Sequence, residues 1–272
     1  MSAQRFFLKD GNTFEKKDFY LPILFDTCIY EVVRVIEGVV LFAEDHVNRL
    51  FASLNTKGIK HSLNADTVLD ELYRVVRLND SVEGNIRYDL YINQEHIQRW
   101  VYYIPHVYPP KTLYRQGVKL ATLKAERSEP SVKIFHGQLR RQVEQIMRQS
   151  RAYEVALVDG HDRITEGSKS NLFFIRQGSI ITAPDANVLA GITRKKVIEI
   201  IAQLSIPLIY EPIKYADLSS CEAAFLTGTS PKILPIRKID TIDFAVNHPF
   251  LSQLMQEYDG LIQKYIDSHK NL

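Results

Sequence analysis

The stretch Ile164-Thr165-Glu166-Gly167-Ser168-Lys169-Ser170-Asn171-Leu172-Phe173-Phe174 decides how this chain is read. Taken alone it is a loop between two hairpins, with Gly167 permitting a sharp turn and Glu166 facing solvent. Its flanks alter that balance. Upstream, residues 155–165 alternate around Asp159-Gly160, and downstream residues 172–182 alternate around Gln177-Gly178, so each flank is expected to be a β-hairpin. Further on, Gly191-Ile192-Thr193 opens an amphipathic helix carrying Val197, Ile200, Ile201 and Leu204. Free backbone N–H groups and the positive end of a helix suit a phosphate, although a simple glycine turn is the plainer reading of that motif alone. A second Gly/Thr/Ser loop, Thr227-Gly228-Thr229-Ser230, follows the apolar run Ala223-Ala224-Phe225-Leu226 and offers further phosphate donors. Together these signals describe a site for a small phosphorylated ligand.

Working outward, residues 31–42 read as a hairpin turning at Glu37-Gly38. A helix follows with Val47, Leu50, Phe51 and Leu54 in phase, then a second with Val68, Leu72, Val75 and Val76. Two β-rich runs come next, near 85–92 and 100–104. Hairpins and helices in separate blocks predict an α+β fold with an antiparallel sheet. Three prolines, Pro105, Pro109 and Pro110, fit neither a helix interior nor a central strand. The division expected is an N-terminal domain over 1–107, a linker over 108–116 and a C-terminal domain over 117–272. Beyond the linker, a strand is expected over 117–123, a helix on Leu139, Val143, Ile146 and Met147, and a final helix from Pro249.

Composition narrows the function. The 272 residues carry 34 Lys plus Arg against 32 Asp plus Glu, a net charge of +2, so no polyanion-binding surface is expected. Cys28 and Cys221 lie far apart without metal-ligand spacing, which fits a reduced cytoplasmic setting and no metal site. The first seven residues show no leader-like apolar segment, and nothing approaches the roughly 20 apolar residues of a membrane span.

The order of these motifs resembles the fold-type IV pyridoxal-phosphate enzymes: the class IV aminotransferases, including branched-chain and D-amino-acid members, and aminodeoxychorismate lyase. That resemblance covers about residues 26–237 and implies two α/β domains with the cofactor between them, usually in a homodimer. In the family pattern E-G-x-x-x-N-[ILV]-F, matched by Glu166, Gly167, Asn171, Leu172 and Phe173, the glutamate faces the pyridine nitrogen. The lysine that holds pyridoxal 5′-phosphate lies a little over thirty residues upstream. Lys133, after Val132 and 33 positions before Glu166, fits. Lys169 is nearer to Glu166 and is the competing amine, but it occupies a variable position of the pattern. Asp45-His46-Val47-Asn48-Arg49-Leu50 matches the family's phosphate arginine at Arg49, with His46 read as structural. Arg49 is otherwise a surface residue at the end of an apolar stripe. Ile192, Thr193 and Thr229 match further cofactor contacts.

Tyr30, in a strand like that of the D-amino-acid branch, Arg87 and Ser230 are the implied substrate residues. For Arg87 a cross-strand ion pair is an equal alternative. The chemistry accounts for the residue types. A lysine amine attaches the cofactor and moves protons at the substrate α-carbon, and a carboxylate beside the ring nitrogen keeps it protonated. Two departures concern substrate: Gln138 stands where branched-chain members carry a tyrosine, and Ile134-Phe135-His136-Gly137 matches neither subfamily. The expected reaction moves an amino group from a small amino acid to a 2-oxo acid. Its alternative is a lyase that releases pyruvate and 4-aminobenzoate from aminodeoxychorismate, a step of folate biosynthesis, and a third is a non-catalytic protein that kept the fold.

Overall fold

The computed structural model describes residues 5–94 and 96–270, so part of the segment inspected for a leader lies outside it. Close contacts group the chain into two units. The first holds residues up to 107 together with 132–135 and 262–270, and the second holds 108–131 and 136–261. The grouping is not the contiguous division expected from the sequence. The proline-rich stretch belongs with the second unit from residue 108 on and carries a short helix, α3 (Lys111–Gln116), which starts just after Pro110. A linear reading locates composition breaks, whereas these units are defined by segments that return.

The first unit contains β1 (Phe6–Lys9), β2 (Asn12–Glu15), β3 (Thr27–Ile36), β4 (Val39–Val40), α1 (Ala43–Thr56), α2 (Ala65–Asn79), β5 (Glu83–Asn93) and β6 (His96–Ile104). The strands form one antiparallel sheet in the order β2-β1-β6-β5-β3-β4. Glu37 and Gly38, at φ 51° and 80°, make the tight turn between β3 and β4. Side chains alternate across a strand. Ile29, Val33, Ile86, Tyr88 and Leu90 therefore share the face packed against Val47, Leu50 and Leu54 of α1 and Val68 and Leu72 of α2. The opposite face carries a smaller cluster of Phe7, Cys28, Tyr91, Trp100 and Tyr102, with Tyr30 and Phe135 against it. Residues 132–135 run along β3, with an antiparallel bridge between Ile29 and Ile134 and a hydrogen bond from Tyr30 N to Lys133 O.

After α3, the second unit contains β7 (Val118–Lys124), α4 (Gly137–Ser150), β8 (Glu154–Val158), β9 (Arg163–Gly167), β10 (Asn171–Arg176), β11 (Ser179–Thr182), α5 (Ile192–Gln203), β12 (Leu208–Tyr210), β13 (Ile213–Lys214), β14 (Ala223–Gly228), β15 (Lys232–Ile239), β16 (Ile242–Asp243) and most of α6 (Pro249–His269). The strand order is β12-β11-β10-β14-β15-β7-β8-β9-β13, and β10 also pairs with β9. That extra pairing closes β10, β14, β15, β7, β8 and β9 into a ring. The residues that close it are Glu166 and Asn171. The segment that taken alone would be a loop is two strand ends joined by a turn, in which Gly167 N donates to Ser170 O at 2.7 Å. Among the described residues no helix is long and apolar enough to cross a membrane.

Candidate active site

In the first unit, β3 sends consecutive side chains to opposite faces and so serves two clusters. Glu31 points toward α1 and is buried. Its Oε1 accepts from Arg49 Nε at 2.8 Å, and its Oε2 accepts from Arg49 Nη2 at 2.6 Å and lies 2.7 Å from His46 Nδ1. His46 and Arg49, three apart on a helix, present one face to a single carboxylate. Burial alone would raise the Glu31 carboxyl, but the Arg49 guanidinium, with help from His46, holds it well below the usual carboxylate range. Burial pushes the His46 imidazole the other way, below its ordinary value, so a neutral ring donates from Nδ1 to Oε2 of Glu31. Arg49 is therefore a fixed cation, only 9% exposed in its side chain, rather than a loose surface residue. Glu31, which anchors it, has no role in the sequence reading. An acid on a strand and a His-x-x-Arg on the next helix is the signal that could have paired them.

On the opposite face stand Tyr30, Arg87 and Lys133. The Lys133 ammonium lies 5.1 Å from the centroid of the Tyr30 ring, and the Arg87 guanidinium lies 4.3 Å from the same ring and 5.7 Å from that of Phe135. Arg87 is ion-paired, but not across strands: its Nε donates to Oδ1 of Asp89 on its own strand at 2.6 Å. Lys133 is half-buried, whereas the competing amine, Lys169, is exposed at a turn.

In the second unit Asn171 is the hub. It pairs with Glu166 across β9 and with Thr227 across β14, and its Nδ2 donates to Leu189 O at 2.8 Å. Leu189 N in turn donates to Glu166 Oε2 at 3.1 Å. Glu166 is buried, and its Oε1 lies 3.1 Å from Nε of Arg127, whose Nη2 donates to Ser168 O at 2.6 Å. Arg127 is absent from the sequence reading, since nothing in Ala125-Glu126-Arg127 marks it as a partner for a residue 39 positions on. A polar cavity of about 300 Å³, lined by Arg127, Asp159, Arg163, Thr165, Glu166 and Asn187 among others, opens beside the pair.

The expected phosphate elements are both in this unit. α5 begins at Ile192 with Gly191 as its N-cap and no side chain capping it. Gly191 is needed by close approach, because a Cβ there would overlap Asn171 Oδ1. Thr193 is buried, 3.4 Å from Tyr258 Oη. Thr229 and Ser230 form the half-buried turn between β14 and β15. Just before them the Thr227 hydroxyl is buried without a hydrogen-bond partner among the described residues. An uncapped helix start, a bare glycine and an orphaned hydroxyl around one asparagine suit an anionic group of phosphate size, and a buried carboxylate lies in the same network. The residues present fit a phosphorylated ring cofactor.

Comparison with known proteins agrees with this chemistry. The model of the family described as amino-transferase class IV matches residues 28–239. This chain belongs to that family, the fold-type IV group of pyridoxal-phosphate enzymes. It is 25% identical over 226 residues, 78% of each chain, to the D-alanine aminotransferase of Bacillus licheniformis. It is 22% identical over 290 aligned positions, gaps included, covering 96% of this chain and 94% of the other, to the branched-chain-amino-acid aminotransferase of Pseudomonas aeruginosa. Among solved structures, the branched-chain aminotransferase of the archaeon Thermoproteus uzoniensis with norvaline superposes with a TM-score of 0.85 at 22% identity. The match covers 97% of this chain and 98% of that one.

Proposed function

We propose that this protein is a pyridoxal-phosphate-dependent aminotransferase that moves the amino group of a small amino acid, of the branched-chain or D-amino-acid type, to a 2-oxo acid in the cytoplasm. The observation that carries the reading is the Tyr30 ring with the Lys133 amine and the Arg87 guanidinium both against it. An α-amino acid has its amine and its carboxylate on one carbon: Arg87 offers the carboxylate its counter-charge, and Lys133, against the same ring, stands where the cofactor that takes the amine would be attached. In this reading Lys133 holds the cofactor covalently and carries the proton from the substrate α-carbon, and Glu166 faces the ring nitrogen. Arg49, Ile192, Thr193 and Thr229 hold the phosphate, and Tyr30, Arg87 and Ser230 hold the substrate. Pyridoxal phosphate, when bound, supplies the electron sink that makes the α-proton acidic. Arg127 and the Leu189 N–H hold the Glu166 carboxylate in place, so that it can face the ring nitrogen.

Family membership supports the cofactor, and the two aminotransferase relatives support the reaction class. The test is to incubate the purified, cofactor-loaded protein with amino acids of both hands, with 2-oxo acid acceptors, and separately with aminodeoxychorismate. The expected product is a keto acid formed from one hand of amino acid. Pyruvate with 4-aminobenzoate and no transamination would replace this reading with the lyase, and no turnover of any kind would leave a binding protein. A homodimer by light scattering is expected alongside.

A further inference from the structure

Arg87 does not stand alone on its face of the sheet. Asp89, two residues along β5, shares that face and is completely buried. Its two oxygens are heavily used. Oδ1 accepts from Arg87 Nε at 2.6 Å, and Oδ2 accepts from Tyr102 Oη at 2.6 Å and from Tyr91 Oη at 3.1 Å. Cys28 Sγ lies 3.9 Å from Oδ1. Strand register explains the gathering: Arg87 is opposite Tyr102, Tyr91 is opposite Cys28 and Asp89 is opposite Tyr30, so all six side chains emerge on one face. Burial, and then the Asp89 charge, push both phenols well above their usual range, so they remain donors at any working pH.

The direction of the grip matters. Asp89 takes the Nε hydrogen of Arg87, on the stem side of the guanidinium, while Tyr30 and Phe135 fix the plane of the group. The Asp89 side chain has no exposure and that of Arg87 keeps 14%, so the acid lies deeper than the arginine, and its hold on Nε leaves the terminal nitrogens out of that bond. An arginine needed only to neutralise a buried acid would present its terminal fork to it, which is the stronger, bidentate arrangement.

We propose that Asp89, backed by Tyr91 and Tyr102, is a positioning residue that aims the terminal nitrogens of Arg87 at the substrate carboxylate. This rests on the reading of Arg87 as the carboxylate anchor. Asp89 touches no substrate. It sets the direction and residual charge of the group that does.

The test uses the cofactor-loaded enzyme with its best amino acid substrate, and a simple aliphatic monocarboxylate as competitive inhibitor. Arg87→Met should raise both KM and Ki about thirtyfold or more. Asp89→Asn keeps the shape and one acceptor but loses the charge. It should raise KM and Ki together by about tenfold while kcat stays within about threefold, the signature of lost carboxylate binding. The double variant should be no worse than Arg87→Met, because Asp89 acts only through Arg87. If Arg87→Met leaves KM and Ki unchanged, the anchor reading fails and this inference with it. If Arg87→Met raises them and Asp89→Asn does not, or if Asp89→Asn lowers kcat as far as it raises KM, the anchor stands and the positioning role is overturned. Should Asp89→Asn fail to fold, Tyr102→Phe removes one hydrogen bond to Oδ2 at little packing cost. An increase of about threefold in Ki at constant kcat is then expected, and an unchanged Ki overturns the proposal.

Discussion

The two units prepare their functional groups in different ways. In the first, the candidate arginines are charged side chains gripped by buried acids: Arg49 by Glu31, with His46 against the same carboxylate, and Arg87 by Asp89. In the second, the candidate anion site is made largely of backbone and small side chains, namely the start of α5, bare Gly191 and the Thr227–Ser230 turn around Asn171. Glu166 is the exception, and even it is fixed partly by a backbone N–H. Backbone donors have fixed dipoles and do not titrate. Paired side chains can be re-aimed, neutralised or retuned by one substitution. The first unit should therefore be sensitive to charge and the second to shape.

The largest effect should come from Lys133. Lys133→Ala should abolish borohydride-trapped attachment of the cofactor and reduce turnover by at least about 10³-fold, since the amine serves both as attachment point and as proton carrier. Lys169→Ala, at an exposed turn, should leave both intact. The opposite outcome would transfer the covalent role to the second unit and break the comparison.

Next is Glu166→Gln, which keeps size and some hydrogen bonding but removes the charge. Cofactor should still be retained through Lys133 and the phosphate elements, while kcat falls by about two orders of magnitude, about 2.7 kcal/mol of barrier. Arg127 would lose its anion in this variant, so absorbance of the bound cofactor should be recorded to separate lost chemistry from lost binding. Turnover within a factor of two of the parent would mean that Glu166 only closes the strand ring.

The same contrast explains what can be read from the chain. Backbone-made sites need glycines and small hydroxyl residues at fixed places, so Gly191-Ile192-Thr193 and Gly228-Thr229 are visible, as are the hairpins and helices around them. Side-chain pairs depend on register and on distant segments. Arg127 meets Glu166 only because β9 ends where residue 127 passes, and no local pattern announces that. Asp89 is within reach of a linear reading, because Arg87-Tyr88-Asp89-Leu90-Tyr91 alternates and places both charges on one face. The search for a partner across the strands passes over this neighbour two residues away. The unit boundaries are hidden for a similar reason: residues 132–135 join the first unit by pairing along β3, a long-range event that composition does not encode.

A smaller effect tests the shape sensitivity of the second unit. In Gly191→Ala the new methyl would overlap Asn171 Oδ1. Asn171 is buried and bonded to Leu189 O, so it cannot swing aside without losing that bond. Overpacking of this kind costs about 1–3 kcal/mol, and the start of α5 should shift with it. Cofactor affinity, measured by equilibrium dialysis, should fall about tenfold, and thermal stability should drop. Thr229→Ser, which keeps the hydroxyl and the backbone, should change affinity by no more than about threefold. Normal cofactor binding by the Gly191→Ala variant would show that α5 does not need the close approach.

The smallest expected effect tests the charge sensitivity of the first unit through pH. His46 is buried against Glu31 and Arg49, and burial lowers its pKa from the ordinary 6.5. A depressed histidine pKa means that the folded state resists a proton which the unfolded state accepts. Stability is then full above pH 6.5 and is lost as pH falls below it. The second unit has its own depressed histidine, His136, where burial and Arg127 act in the same direction, but it is only half-buried and should contribute less. Glu31 is held far down by Arg49, so it titrates well below this window and does not confuse it. Urea unfolding between about pH 7.5 and 5.5 should therefore show declining stability. His46→Gln, which can still donate to Glu31, should remove most of that decline, and His136→Gln a smaller part. If His136→Gln removes more of the slope than His46→Gln, the buried charge cluster of the first unit is not what makes this protein sensitive to acid.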